Sequence, residues 1–163
     1  GQLGDGTNTD RITPVGVLGI TTATSIASGV VHSCALLADA TVKCWGRNEY
    51  GQLGDGTDTD RVTPVGVSGI TTATSIAAGD YHSCAVLTDA TVKCWGMNTS
   101  GQLGDGTIVA QRVIPVEVSG LTLAFPPPPP PPSPPPPPSP SMSSATKYSV
   151  VMALVVNIIN IFT

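Results

Sequence analysis

The sequence predicts an all-β protein: a partial β-propeller of about two blades plus one further strand, followed by a polyproline II stalk and a short apolar C-terminal helix. Three observations carry this prediction. The heptapeptide Gly-Gln-Leu-Gly-Asp-Gly-Thr opens at Gly1, at Gly51 and at Gly101, a period of 50 residues. Residues 1–50 and 51–100 share 39 positions and differ at 11. Within each copy, short alternating apolar runs are separated by Gly, Asp and Thr turn signals, with no helical periodicity. A four-stranded unit repeated every 40–50 residues or so (about one blade) is the geometry of a propeller.

The second copy shows the elements in order. Residues 74–77 (Thr-Ser-Ile-Ala) are short and β-branched, and end at Ala78-Gly79-Asp80. Residues 82–87 alternate, with His82, Cys84 and Val86 on one face. Thr88-Asp89-Ala90 is a turn, and residues 91–95 form a second alternating strand. Gly96 to Gly106 is a glycine-rich loop. Residues 115–118 make the last strand, with Pro115 suited to its start. Two nearly complete blades are expected at 24–67 and 74–118, with the closing strand of an earlier one at 14–17. The chain begins inside a unit, so an upstream portion is expected to be missing. Two blades leave two broad apolar flanks open to self-association. Residues 1–124 alone are therefore expected to be unstable or oligomeric.

Composition divides the chain. Residues 1–124 hold 17 of the 18 charged groups, all four cysteines and both tryptophans. Their net charge is −5, from six basic and eleven acidic residues, and they carry no basic patch, which argues against nucleic acid as a partner. The domains are thus repeats at 1–120, a proline-rich linker at 121–147 and a hydrophobic segment at 148–163.

The run Ala-Gly-Asp-Tyr-His-Ser-Cys-Ala-Val-Leu at 78–87, then Val-Lys-Cys-Trp-Gly-Met-Asn at 92–98 and Gly-Gln-Leu-Gly-Asp-Gly at 101–106, resembles the RCC1 (regulator of chromosome condensation) repeat. The stretches 28–37, 42–48 and 51–56 resemble it equally. The resemblance implies a β-propeller, seven-bladed in well-known members, with functions that include guanine-nucleotide exchange on a small GTPase, light sensing and ubiquitin-ligase scaffolding. Two departures matter. The usual Asp-Gly hairpin turn is Asp39-Ala40 and Asp89-Ala90 here. Alanine resists positive φ, so either the turn type changes or each turn carries strain of order 1 kcal/mol. No unit carries the long loop insertion on which exchange activity depends in the family.

Cys34 and Cys44, like Cys84 and Cys94, are ten residues apart and flank one hairpin. A three-residue turn at 38–40 sets 34 directly opposite 44, within disulfide range. Two intra-blade disulfides and an oxidising compartment are expected; the alternative is four buried thiols in a reducing cytosol. His32 or His82 with its two cysteines gives only three ligands where structural zinc takes four, so no metal site is expected. Each histidine is instead expected to bond backbone near the Gly29 or Gly79 turn. Ser83 beside His82 is no catalytic pair, because strand neighbours point to opposite faces. Gly-Gln-Leu-Gly-Asp-Gly has the wrong glycine order for a dinucleotide fingerprint and no helix follows it. Leu3, Leu53 and Leu103 are expected to plug the core. Asp5, Asp55 and Asp105 are expected to cap turns rather than bind calcium. Trp45 and Trp95 are expected between blades.

Residues 126–140 are thirteen prolines broken by Ser133 and Ser139, an expected polyproline II rod of about 46 Å. The pattern resembles hydroxyproline-rich wall proteins. Residues 148–162 are a largely apolar stretch with Asn157 and Asn160 inside it. As a helix they reach about 22 Å, short of the roughly 30 Å hydrocarbon core. A lipid-anchor signal fits their position, with Ser141, Ser143 and Ser144 as candidate attachment sites; a short membrane helix is the alternative.

The functional expectation is a non-enzymatic protein-binding module without cofactor, tethered at a cell surface or wall, in contact with the membrane through its C-terminal segment. Binding is expected at loops on one propeller face, where Asn48, Tyr50 and Asn98 lie. The rival is a cytoplasmic exchange factor or ubiquitin-ligase scaffold.

Overall fold

The computed structural model describes residues 1–121 and 123. The proline run, the apolar C-terminal stretch and Ser141, Ser143 and Ser144 lie outside the described residues. Eight strands form two separate four-stranded antiparallel sheets, each in chain order. The first blade is β1 (Ala23–Ser28), β2 (His32–Leu37), β3 (Val42–Gly46) and β4 (Arg61–Gly66). The second is β5 (Ala73–Ala78), β6 (His82–Leu87), β7 (Val92–Met97) and β8 (Gln111–Glu117). Among the described residues there is no helix. Pro64 and Pro115 sit in β4 and β8, the outermost strands, where one edge has no ladder to complete.

Two boundaries differ from the sequence expectation. Residues 14–17 are not a strand, since no sheet of an earlier blade is there to pair with them. Val17 and Ile20, from that segment and the turn after it, instead pack on Ala35, Leu37 and Trp45 of the first blade. β8 starts at Gln111, four residues before Pro115.

The central hairpins set the cysteines. Cys34 pairs directly with Cys44, and Cys84 with Cys94. The Cα atoms stand 4.0 and 4.1 Å apart and the sulfurs are bonded in both blades. The turn between them is a tight one. Thr41 N–H and Oγ1 both donate to Asp39 Oδ1, at 3.0 and 2.6 Å, and Thr91 does the same to Asp89. This geometry demands a left-handed residue, and Ala40 and Ala90 supply it at φ 63° and 69°. The turn type is kept and the alanines are strained.

The core lies between the blades. Cys34, Leu36, Val42 and Cys44 of the first face Ala73, Ala85, Leu87 and Trp95 of the second, with Leu53, Val67 and Ile70 filling the seam. The loop after β3 reaches across this seam. A side chain added at Gly54 would lie 2.8 Å from the Trp95 indole, and one at Gly51 only 2.6 Å from Val113 Cα. Only glycine lets this backbone approach so closely. Leu53 and Leu103 are buried as plugs, but Leu3 is 40% exposed.

Candidate protein-binding face

The turn between β1 and β2 and the loop leaving β3 emerge side by side at one end of the sheets. Arg47 N–H donates to Val31 O at 3.0 Å, and Met97 N–H to Tyr81 O at 2.9 Å in the second blade. Both copies thus present paired loops, Gly29–Val31 with Arg47–Gly51 and Gly79–Tyr81 with Met97–Gly101. Six of the eleven positions at which the copies differ fall in these loops or at the strand end that enters them: 28/78, 30/80, 31/81, 47/97, 49/99 and 50/100. Two of those differences meet. Tyr50, from the first copy alone, packs edge-on against Tyr81, from the second alone, with ring centroids 5.4 Å apart. Beside them Arg47 is paired with Glu49, which holds the guanidinium pKa above its ordinary value. Val30 is exposed at the next turn. The face therefore offers an aromatic pair, a cation, an anion and an aliphatic within a few residues, a composition suited to protein contact.

Asn48 and Asn98 do not belong to this surface. Both are fully buried. The Asn48 carbonyl accepts from Leu53 N–H at 2.9 Å, and its amide donates to Thr57 O and Thr59 O. Asn98 repeats this with Leu103 N–H and Thr107 O. A buried amide that satisfies backbone groups on both sides of a glycine-rich loop fixes that loop. Of the three residues expected at the face, Tyr50 remains, half-buried against Tyr81. Sequence reasoning missed Tyr81, Arg47 and Glu49. The clustering of copy-to-copy differences at one end of the units was the signal for them.

The loop aspartates are structural. Asp55 Oδ1 accepts from Thr57 N–H and Oγ1, and its Oδ2 pairs with Arg61 at 2.9 Å. Burial pushes the Asp55 carboxyl up, but the Thr57 and Arg61 bonds outweigh it and hold the pKa low. Bonds from Thr107 and Arg112 hold Asp105 at about 2. Asp5 is bound likewise by Thr7 and Arg11. Each carboxylate is already saturated by a threonine and an arginine.

His32 does not bond the backbone of its turn. Its Nε2 lies 2.7 Å from Ser83 Oγ of the next blade, and Ser83 Oγ donates to Gln52 O at 3.0 Å. The serine proton is thus committed, so His32 Nε2–H is the donor and the ring is neutral. Burial, then the proximity of His82, lowers its pKa to about 4. The pair is sealed between sheets and its Nδ1 has no partner, so it has neither substrate access nor an orienting acid. The two cysteines near each histidine are spent on disulfides. Among the described residues no cluster of three or more His, Cys, Asp or Glu is arranged to hold a metal.

Stacked four-stranded blades joined by glycine-rich loops define an RCC1-type repeat module. The model for the regulator of chromosome condensation (RCC1) repeat matches residues 40–86 and 90–124, and a second RCC1 repeat model matches 23–52 and 73–102. The chain belongs to the RCC1 repeat family. It is similar in fold to Prp20p of Saccharomyces cerevisiae, studied with its binding to Gsp1p and histones, at 22% identity and TM-score 0.56, covering 64% of this chain and 27% of that one. It is similar to a chain in the complex of Kap60 with yeast RCC1 (Prp20), at 26% identity and TM-score 0.52, covering 64% and 23%. It is similar to human WBSCR16, at 20% identity and TM-score 0.60, covering 73% and 33%. The chain thus spans a quarter to a third of the solved chains it matches. No curated protein matches it.

Proposed function

We propose that this protein is a non-catalytic binding module that works in an oxidising compartment, held at a cell surface or wall by its proline-rich and apolar C-terminal segments, and that it contacts a protein partner through the loop face around Tyr50 and Tyr81. The observation that carries the compartment is the pair of disulfides, one per blade, at matching positions. Such bonds persist outside reducing compartments. The loop face supports a protein partner, as do the protein complexes of the yeast neighbour with Gsp1p and Kap60.

The test combines compartment and activity. The chain recovered from its native host without reductant is expected to weigh four hydrogens less than after reduction. A membrane-impermeant label is expected to reach it on intact cells, and removal of residues 148–163 to release it. Four free thiols in the native chain would refute the compartment. The rival reading is a cytoplasmic exchange factor or ubiquitin-ligase scaffold, and the exchange factor predicts faster nucleotide release from a small GTPase. No acceleration is expected, because each unit lacks a long loop insertion.

A further inference from the structure

Asn98-Thr99-Ser100 is the single Asn-x-Ser/Thr tripeptide in the chain, the acceptor signal for an N-linked glycan in a secretory lumen. The first copy has Asn48-Glu49-Tyr50 at the same place, so the signal arises from two of the positions at which the copies differ. Such a signal ordinarily marks a surface loop. Here Thr99 and Ser100 are exposed, yet the acceptor side chain between them and β7 is fully buried.

Every polar group of Asn98 is taken. Its backbone N–H donates to Ala110 O at 2.8 Å, and its backbone carbonyl accepts from Gly101 N–H at 3.0 Å. The side-chain Oδ1 accepts from Leu103 N–H at 3.0 Å. The two hydrogens on Nδ2 are spread over Thr107 O, Asp105 Oδ1 and Thr107 Oγ1, at 3.1, 3.3 and 3.4 Å. N-glycosylation would act on that nitrogen. Nδ2 forms a bond to C1 of an oligosaccharide, the C1–O bond to its lipid pyrophosphate carrier breaks, the carrier leaves with the electron pair, and Nδ2 gives up one proton. The closed loop forbids this twice. Nδ2 has no exposed surface on which to meet the donor, and the product would hold a hexose where Thr107 and Asp105 now lie. To carry a glycan, Asn98 must swing out. That strips Leu103 N–H and Thr107 O of their partner and unseats Leu103 from the core.

We propose that Asn98 is an N-glycan acceptor in the unfolded chain alone, and that its glycosylation and the closure of the 98–107 loop exclude each other. The glycan then marks chains whose second blade has failed to form. This inference rests on the oxidising-compartment reading, because lipid-linked oligosaccharide is met in a secretory lumen. The Cys84–Cys94 bond governs the choice. Cys94 lies four residues before Asn98 on β7, and Met97, the next rung toward the loop, pairs with Gln111 of β8. Oxidation that holds β6 to β7 favours closure and withdraws Nδ2 from the donor.

The full 163-residue chain, translated behind a cleavable secretion signal into endoplasmic-reticulum microsomes, tests the site wherever the chain resides in its host. The thiol count of the native chain tests the compartment separately. Without reductant, two populations are expected that do not overlap: protease-resistant chains without glycan, and protease-sensitive chains with a glycan at Asn98. Dithiothreitol during translation is expected to raise the glycosylated fraction several-fold. Ser100→Ala keeps every Asn98 bond and is expected to abolish the glycosylated population in both conditions. Purified oxidised chain and its reduced, carboxymethylated form, offered to solubilised oligosaccharyltransferase with lipid-linked oligosaccharide, make the comparison outside translation. Modification of the reduced form alone is expected. Equal modification of both forms, a glycosylated chain as protease-resistant as the unmodified one, or no glycan at Asn98 even in the reduced chain would overturn the proposal.

Discussion

Replacing Ala40 by glycine is expected to make this protein more stable, and the amount follows from the turn. Ala40 sits at φ 63° with its N–H donating to Leu37 O and its carbonyl accepting from Ala73 N–H. A left-handed conformation costs an L-residue about 1–2 kcal/mol, because Cβ crowds the following carbonyl. Glycine removes that cost but loses about 0.5–1 kcal/mol more backbone freedom on folding. The backbone bonds survive the change, so the net gain is about 0.5–1 kcal/mol. The Cys34–Cys44 bond already restricts this turn in the unfolded chain, so the gain should sit at the upper end while the disulfide is intact. Ala90→Gly repeats the experiment at φ 69°, and the two gains should add to about 1–2 kcal/mol, as the turns share no side-chain partner. Urea unfolding of the oxidised single and double variants measures this. A neutral or destabilising Ala40→Gly with native circular dichroism would refute the strain argument.

Acid should weaken the blade junction through His32. Its folded pKa, about 4, lies below the unfolded value of 6.5, so the unfolded chain binds the extra proton. The contribution is fully present above pH 6.5 and is lost as pH falls toward 4, up to about 3 kcal/mol. Stability curves of the wild type against His32→Gln between pH 7 and 4 should converge on the acid side. Gly29→Ala should destabilise by about 1–3 kcal/mol, since its Cβ would lie 2.3 Å from Gly79 O of the neighbouring blade. Gly66→Ala, with nothing within 4 Å, should change thermal stability by less than about 0.5 kcal/mol. Replacing Cys34 and Cys44 together by serine should cost about 2–3 kcal/mol in the same unfolding assay.

The strand order and the pairing of the cysteines were legible from a single copy of the repeat, whereas Ala in place of the family's glycine left two turns possible at Ala40 and Ala90, and the positive φ of both decides between them. Alternation fixes which residues share a face, and a ten-residue spacing across a three-residue turn fixes which ones oppose. The site was less legible because its residues answer to the neighbouring unit. Asn48 and Asn98 look like exposed loop amides until the Leu53 and Leu103 amides are seen to need an acceptor. His32 finds its partner 51 residues away, on a different sheet. Residues 14–17 read as a strand from composition, yet a strand exists only where another lies beside it. Tyr50 and Tyr81 each appear in one copy only, so their contact emerges when the copies are stacked rather than when they are compared.

The reach of each glycine-rich loop onto the following blade gives the molecule a direction. Gln52 is synthesised before Trp95 and Ser83, so the waiting carbonyl is in place when the next hairpin leaves the ribosome. A blade that closes its own disulfide can then seat at once against a finished predecessor, with its indole shielded from its first moments. The dependence is one-sided: a break in the 51–56 loop unseats the Ser83–Trp95 hairpin of the blade that follows, while the ladder of β1 to β3 before it keeps its own pairing.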